Sequence, residues 1–144
     1  MSTRATFHFV DPEWPTSPQA IVYRHMDGNP EEAGAQLLAF VDRVDRLKDK
    51  RFDDPSLLAA RYVAFLGEHY AFHYDDKFRK VPNEDYLDFI SVGILTEDPG
   101  DIAYRYTIVC DGKPTITVEG YGDEENDTGD LIYLGNLRQL LNSE

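Results

Sequence analysis

Residues 20–34, AIVYRHMDGNPEEAG, contain the change from strand to helix that decides the fold class. The first six letters, AIVYRH, are mostly apolar or β-branched and predict a strand. An Asp-Gly pair then supplies a turn, and Asn29 followed by Pro30 matches a helix start, because proline suits the first helical position. Glu32 completes the capping-box pattern. We therefore expect a helix that begins at Pro30.

Two helices are predicted in succession. The first has the period of an amphipathic helix. Its apolar face consists of Ala33, Gly34, Leu37, Phe40, Val41, Val44 and Leu47. A second helix is predicted over about residues 55–73, where Asp54 and Pro55 repeat the cap-and-proline signal. Its sequence, PSLLAARYVAFLGEHYAFH, is apolar around most of its circumference, which predicts the more buried helix.

Strands are predicted on both sides of these helices. Residues 5–10, ATFHFV, alternate in the manner of a strand and would form a hairpin with residues 20–25. Three further strand segments follow the helices, within residues 85–97, 101–110 and 113–121. An Asp-Gly pair between the last two is the strongest short-range hairpin signal.

The predicted order is ββααβββ with a short C-terminal element. That element, residues 131–142, LIYLGNLRQLLN, fits a short strand, a helix, or a strand followed by a helix. The chain of 144 residues suits one core. We therefore predict a single α+β domain over residues 1–144, with two helices packed on one face of an antiparallel sheet of about five strands.

The composition limits the cellular compartment and the classes of binding partner that we expect for the protein. The 27 acidic and 14 basic residues give a net charge of -13, which repels nucleic-acid backbones and anionic membrane surfaces. The single cysteine fits a reducing compartment, and the polar start MSTRATFHFV does not match a signal peptide. We expect a cytoplasmic protein that binds neither nucleic acid nor membrane directly.

Two stretches carry a resemblance to a known family. Residues 23–40, YRHMDGNPEEAGAQLLAF, and residues 101–118, DIAYRYTIVCDGKPTITV, resemble short bacterial and phage proteins of unknown function. In that family a Tyr-x-His-x-Asp-Gly-Tyr-Pro turn leads into a helix, and an Ile-x-Tyr-x-Tyr strand follows. Asn29 replaces the usual Tyr, and Met26 stands where an aromatic residue or His is frequent. The resemblance implies a bacterial or mobile-element origin and no catalytic residue.

A metal site is one hypothesis for the histidines. His69 and His73 stand four residues apart in the second predicted helix, so both imidazoles would project from one face, as two ligands of one metal ion must. Candidate further ligands for zinc or iron(II) are His25, Asp27, Asp75 and Asp76. The alternative, which is the commoner role, is a hydrogen-bonded histidine at the edge of the core.

Two other candidates for chemistry have structural alternatives that we favour. His25 and Asp27 would form a general-base pair beside the helix start, but Asp27 also suits the turn, which His25 would brace. Cys110 would be a nucleophile if a base lowered its pKa. Its position at the end of an apolar strand face favours a small core residue instead.

The acidic run DEENDTGD is a candidate binding segment. Its carboxylates are Asp123, Glu124, Glu125, Asp127 and Asp130. Calcium loops of the EF-hand type need Gly at the sixth position and Glu at the twelfth, and the run matches neither. We interpret it as a solvated acidic loop that would contact a basic partner.

Two classes of function follow. We favour a non-enzymatic protein-interaction module, because many tyrosines and a strong negative charge suit a surface for a basic or nucleic-acid-binding protein. An inhibitor that mimics nucleic acid is one form of it. The alternative is a small metal-dependent hydrolase with a His/carboxylate site, and no other cofactor is expected. A homodimer would pair exposed hairpin edges within residues 101–121.

Overall fold

The computed structural model describes residues 3–89, 91–121 and 133–142. Its helices are α1 (Ala35–Asp45), α2 (Pro55–Ala71) and α3 (Leu137–Asn142). Its strands are β1 (Ala5–Val10), β2 (Ala20–Arg24), β3 (Phe72–Tyr74), β4 (Lys80–Pro82), β5 (Val92–Leu95), β6 (Tyr104–Val109), β7 (Thr115–Gly120) and β8 (Tyr133–Asn136). A π-helical turn, Pro30–Gly34, leads into α1, and a 3-10 turn, Tyr86–Phe89, precedes β5.

Six strands form one sheet in the order β5-β2-β1-β6-β7-β8. Neighbouring strands are antiparallel except for the central pair, β1 and β6, which is parallel. The predicted α+β class and the mainly antiparallel sheet are confirmed. The strand count and order were predicted incompletely, because β3 and β4 form a second, two-stranded sheet and β8 adds a sixth strand to the first. Of the alternatives for the C-terminal element, the strand followed by a helix is present, as β8 and α3.

One face of the large sheet packs against the helices. Phe7 of β1 is fully buried there, with its ring centroid 5.1 Å from that of Tyr62 on α2. Tyr106 of β6 stacks on the same Phe7 ring at 4.7 Å, and α3 adds the buried Leu137 to this core. Three helices rather than two therefore contribute to the core. Within the described ranges, no helix is long and apolar enough to cross a membrane.

Hydrogen bonds made by the Gly28 backbone hold the turn between β2 and α1 in place. The Gly28 N–H donates to the Thr3 carbonyl oxygen at 3.0 Å, and the Gly28 carbonyl oxygen accepts a bond from the Tyr106 hydroxyl at 2.7 Å. A Cβ atom at Gly28 would lie 2.6 Å from the Ala5 Cβ, closer than two such carbons approach. Only glycine therefore fits this turn.

The two predicted helix starts differ in their caps. The helix begins at Pro30 as expected, but the Asn29 side chain makes no capping bond and instead donates to Glu31 at 3.1 Å. The predicted capping box is therefore wrong. At α2 the prediction is confirmed, because the Asp54 Oδ1 accepts a bond from the Leu57 N–H at 3.0 Å.

The second helix is two residues shorter than predicted. It ends at Ala71, where Asn83 donates hydrogen bonds to the last two carbonyl oxygens of the helix. The Asn83 backbone N–H donates to the Ala71 oxygen at 2.8 Å, and its Nδ2 donates to the Tyr70 oxygen at 3.0 Å. The chain then continues as β3, which contains His73 and pairs with β4.

The predicted hairpin is present, but its edges are covered. β6 and β7 pair across a turn in which Gly112 takes a φ of 57°. β6 lies between β1 and β7, and β7 lies between β6 and β8. The expectation of exposed hairpin edges within residues 101–121 is therefore wrong. The outermost strands of the described sheet are β5 and β8.

Candidate functional site

The sheet face that points away from the helices carries a cavity of about 540 Å³. We call it the open-face cavity. Its polar lining includes His8, Glu97, Asp98, Arg105, Thr107 and Glu119, and its apolar lining consists of Val10, Pro15, Pro18 and Ile21. A concave surface of this size, on which a few polar groups converge, is where a ligand is most readily bound.

Strand alternation places these side chains on the open face. In β1, Phe7 and Phe9 belong to the helix-covered core, so His8 between them points to the other side. The parallel pairing sets His8 opposite Thr107 of β6, and the hairpin register sets Arg105 opposite Glu119 of β7. The central parallel pair therefore assembles the site from strands far apart in sequence.

Arg105 is the centre of an ionic network in the cavity. Its Nη2 donates to the Asp98 carboxylate, and its Nη1 lies 3.5 Å from the Glu119 Oε2. The same Nη1 donates to the Tyr121 hydroxyl at 2.9 Å, and that hydroxyl donates to Glu119 at 2.5 Å. Two carboxylates thus share one guanidinium, which leaves the network negatively charged.

The titratable groups of the site are held in defined protonation states. Burial and the nearby Arg105 charge lower the pKa of His8 below its usual 6.5, so its imidazole is neutral at pH 7. His8 is 8% exposed, and its Nε2 lies 3.2 Å from the Thr6 hydroxyl. Burial and the bond to Glu119 raise the pKa of Tyr121 to about 12, so its hydroxyl stays a donor.

Carboxylates outnumber cations around the open-face cavity. Of the residues that the structure describes, three carboxylates (Glu97, Asp98 and Glu119) and one guanidinium line it, which gives these groups a charge of -2 while His8 is neutral. Glu97 is exposed and makes no ion pair within the described part of the chain. An apolar wall beside an acidic group suits a cation carried on an aliphatic stem.

His25 belongs to the turn between β2 and α1 and not to the open-face cavity. Its backbone N–H donates to the Ser91 carbonyl oxygen at 2.9 Å, which ties the turn to the start of β5. Its exposed imidazole shares a hydrogen bond with the Tyr23 hydroxyl, at 2.9 Å from Nδ1. The hydrogen-bond partner of His25 is thus Tyr23 and not Asp27.

The candidate metal ligands are not brought together among the described residues. No group of three His, Cys, Asp or Glu side chains there is placed to hold a metal ion. His73 lies exposed on β3, beyond the end of α2, and the side chain of His69 lies outside the described part. The helical spacing that motivated the His69–His73 pair is therefore absent.

Asp75 has a local role in the turn between β3 and β4. Its carboxylate accepts bonds from the backbone N–H groups of Lys77 and Arg79, each at 2.9 Å. The Arg79 Nε donates to it as well, at 2.8 Å. The backbone bond from Arg79 is the main cause of the lowered pKa of Asp75. These bonds use the carboxylate that was proposed as a metal ligand.

The acidic run and Cys110 are the other candidates. The proposed binding carboxylates lie outside the described residues; they are Asp123, Glu124, Glu125, Asp127 and Asp130. Cys110 is buried at the end of β6, where burial raises its pKa to about 12. Its thiol is therefore protonated at neutral pH and fills space in the core, which agrees with the alternative that we favoured.

His8, Arg105 and Glu119 were not predicted as site residues. The signal was present in part, because Thr6 and His8 are polar positions that alternate with apolar ones, and Arg105 and Thr107 do the same in β6. Each pattern indicates a polar strand face. Neither shows that the two strands are neighbours, and that pairing creates the site.

Comparison of the chain with protein-family models, with curated proteins and with solved structures finds no match. The resemblance to short bacterial and phage proteins stays a prediction. The functional assignment therefore depends on the geometry and the charge of the cavity.

Proposed function

We propose that the protein is a non-enzymatic binding module that receives a lysine or arginine side chain of a basic protein partner in the open-face cavity. The observation that carries this proposal is the excess of carboxylates, because among the described lining residues Glu97, Asp98 and Glu119 face a single cation, Arg105. A cationic group that enters the cavity would pair with carboxylate charge that Arg105 alone does not neutralise.

The two halves of the lining match the two halves of such a side chain. The aliphatic stem would lie against Pro18 and Ile21, and the charged end would reach Glu97 and Glu119. His8 adds a hydrogen-bonding group without adding positive charge, because its lowered pKa keeps it neutral. The net charge of -13 would steer a basic partner towards the protein.

The test uses peptides that differ only in charge. Short labelled peptides carrying a central arginine or lysine are compared, by fluorescence polarisation, with the same peptides carrying citrulline or acetyl-lysine. We expect the charged peptides to bind at least about tenfold more tightly, with an affinity that falls as salt is added. Equal binding of charged and neutral peptides contradicts the proposal.

A nucleic-acid mimic is a narrower form of the same proposal. It requires that the basic surface bound by this protein be one that otherwise binds DNA or RNA. Once a partner has been identified, labelled duplex DNA bound to that partner is titrated with this protein. Displacement of the DNA supports mimicry, and a ternary complex with the DNA still bound rules it out.

A second candidate function is self-association, and it rests on a separate observation. Among the described side chains of residues 72–95, five large apolar ones are exposed: Phe72, Tyr74, Phe78, Leu87 and Ile94. Phe78 is 85% exposed and Ile94 is 67% exposed. So many exposed apolar side chains within one short segment favour a surface that binds another protein.

Strand β5 supplies a geometry for that contact. On its outer side it pairs with no strand among the described residues, and its sequence, VGIL, contains no charge or proline that would protect an edge. A second copy of the chain presents the same unpaired edge, and two such edges can pair with each other as antiparallel strands. We infer that two copies pair their β5 strands across a two-fold axis.

A further inference from the structure

Arg24, at the end of β2, is a buried cation with a neutral partner. It is 5% exposed and lies on the helix-covered side of the sheet, where its Nη1 donates to the Gln36 Oε1 of α1 at 2.6 Å. Within the described residues, no carboxylate forms an ion pair with its guanidinium. Buried arginines are normally paired with an anion.

A neutral amide compensates such a charge only in part. Gln36 accepts one hydrogen bond, whereas a guanidinium carries five donor hydrogens. The nearby Tyr62 hydroxyl is neutral, because burial raises its pKa although the adjacent Arg24 guanidinium acts in the opposite direction, so it supplies no negative charge. A buried cation without a counter-charge is strongly destabilising, so an anion that reached this guanidinium would stabilise the folded protein.

A cavity of about 180 Å³ opens beside the guanidinium. It is lined by Arg24, Asp27, Gln36, Leu66, Tyr70 and Val92. Of these lining residues, Arg24 is buried, whereas Asp27 is exposed and so lies nearer to solvent. At about 30 Å³ for each water molecule in the liquid, the cavity has the volume of roughly six waters. Butyrate, with four carbons and two oxygens, has that size.

We propose that this cavity binds a small carboxylate, whose oxygens pair with Arg24 and whose short aliphatic body lies against Leu66 and Val92. A guanidinium matches the planar carboxylate with two parallel hydrogen bonds. Asp27 near the opening favours a singly charged carboxylate over a doubly charged phosphate, because the repulsion grows with ligand charge. The site lies on the face opposite the open-face cavity, so it is independent of the proposed function.

The first measurement is thermal unfolding of the full chain in sodium butyrate, with sodium chloride at equal ionic strength as the control. We expect butyrate to raise Tm by about 3 °C in a saturable manner, because a ligand that binds only the folded state stabilises it. Inorganic phosphate at the same ionic strength should have a smaller effect. A Tm that is the same in butyrate and in chloride overturns the proposal.

The second measurement uses Gln36→Glu, which places a carboxylate where the amide oxygen already lies 2.6 Å from Arg24. This internal anion should raise Tm in the absence of butyrate and abolish the butyrate response. Gln36→Leu is the matched control, since it removes the amide and should keep the response. A Gln36→Glu variant that is no more stable than the natural protein, or that responds to butyrate equally, contradicts the site.

Discussion

The Tyr106 hydroxyl donates a hydrogen bond to the Gly28 carbonyl oxygen at 2.7 Å and so joins residues 78 positions apart in the chain. Both residues are buried. The bond holds the turn between β2 and α1 against β6, the strand that also pairs with β1. The local turn and the central parallel pairing therefore support each other.

Removing that hydroxyl should destabilise the fold. Tyr106→Phe leaves the Gly28 oxygen buried without its donor, and we expect the free energy of unfolding to fall by about 1 to 2 kcal/mol. Urea denaturation at pH 7 measures the change. Tyr74→Phe is the matched control, because Tyr74 is 70% exposed and its variant should be close to neutral. A neutral Tyr106→Phe would show that the bond contributes nothing.

Acidification should destabilise the protein through His8. Burial lowers the pKa of His8 in the folded state, so between that pKa and 6.5 the unfolded chain binds the proton and the folded chain does not. Stability is therefore present above pH 6.5 and is lost as the pH falls towards the lowered pKa. Urea denaturation between pH 7.5 and about 5.5 measures this loss.

A substitution separates His8 from other titrating groups. His8→Gln should flatten the pH dependence of stability in that window. The control, Ser17→Gln at an exposed position without a titratable group, should leave it unchanged. A His8→Gln variant whose pH dependence equals that of the natural protein would contradict a neutral, buried His8.

The charge of the open-face cavity gives a prediction for binding. Glu97→Gln removes an exposed carboxylate of the lining, and we expect it to weaken binding of the arginine peptide about fivefold, which corresponds to about 1 kcal/mol. Asp111→Asn, in the turn between β6 and β7, removes one charge elsewhere and should weaken binding much less. Similar losses in the two variants would indicate only a general effect of net charge.

Self-association should depend on the apolar edge. Ile94→Lys places a charge on β5, which disfavours strand pairing between copies, and the variant should sediment as a monomer where the natural protein is a dimer. Trp14→Lys is the control, because Trp14 is 61% exposed but lies outside residues 72–95. A natural protein that is monomeric at about 100 µM in sedimentation equilibrium contradicts the β5 dimer.

The fold class could be predicted because its signals are local. Asp54 and Pro55 define the start of α2, and Gly112 with its neighbouring aspartate defines the turn between β6 and β7, each within a few residues. The end of α2 could not be predicted in this way. It depends on Asn83, which bonds to the last carbonyl groups from twelve and thirteen positions further along the chain.

The candidate site was not predicted because it depends on a non-local pairing. His8 and Thr107 are opposite each other only because β1 and β6 are parallel neighbours, and hydrophobic periodicity does not identify which strands pair. His69 and His73 were singled out by their helical spacing, and that spacing ends with α2 before His73. The long-range topology therefore carries most of the functional information.

The central claim is that a cationic side chain enters the open-face cavity, and amide chemical-shift mapping by NMR tests it most directly. The isotope-labelled protein is titrated with the arginine peptide and, separately, with the citrulline peptide. We predict that the arginine peptide shifts the amides of His8, Thr107 and Glu119, and that the citrulline peptide does not. Shifts located elsewhere, or equal shifts with both peptides, would contradict the claim.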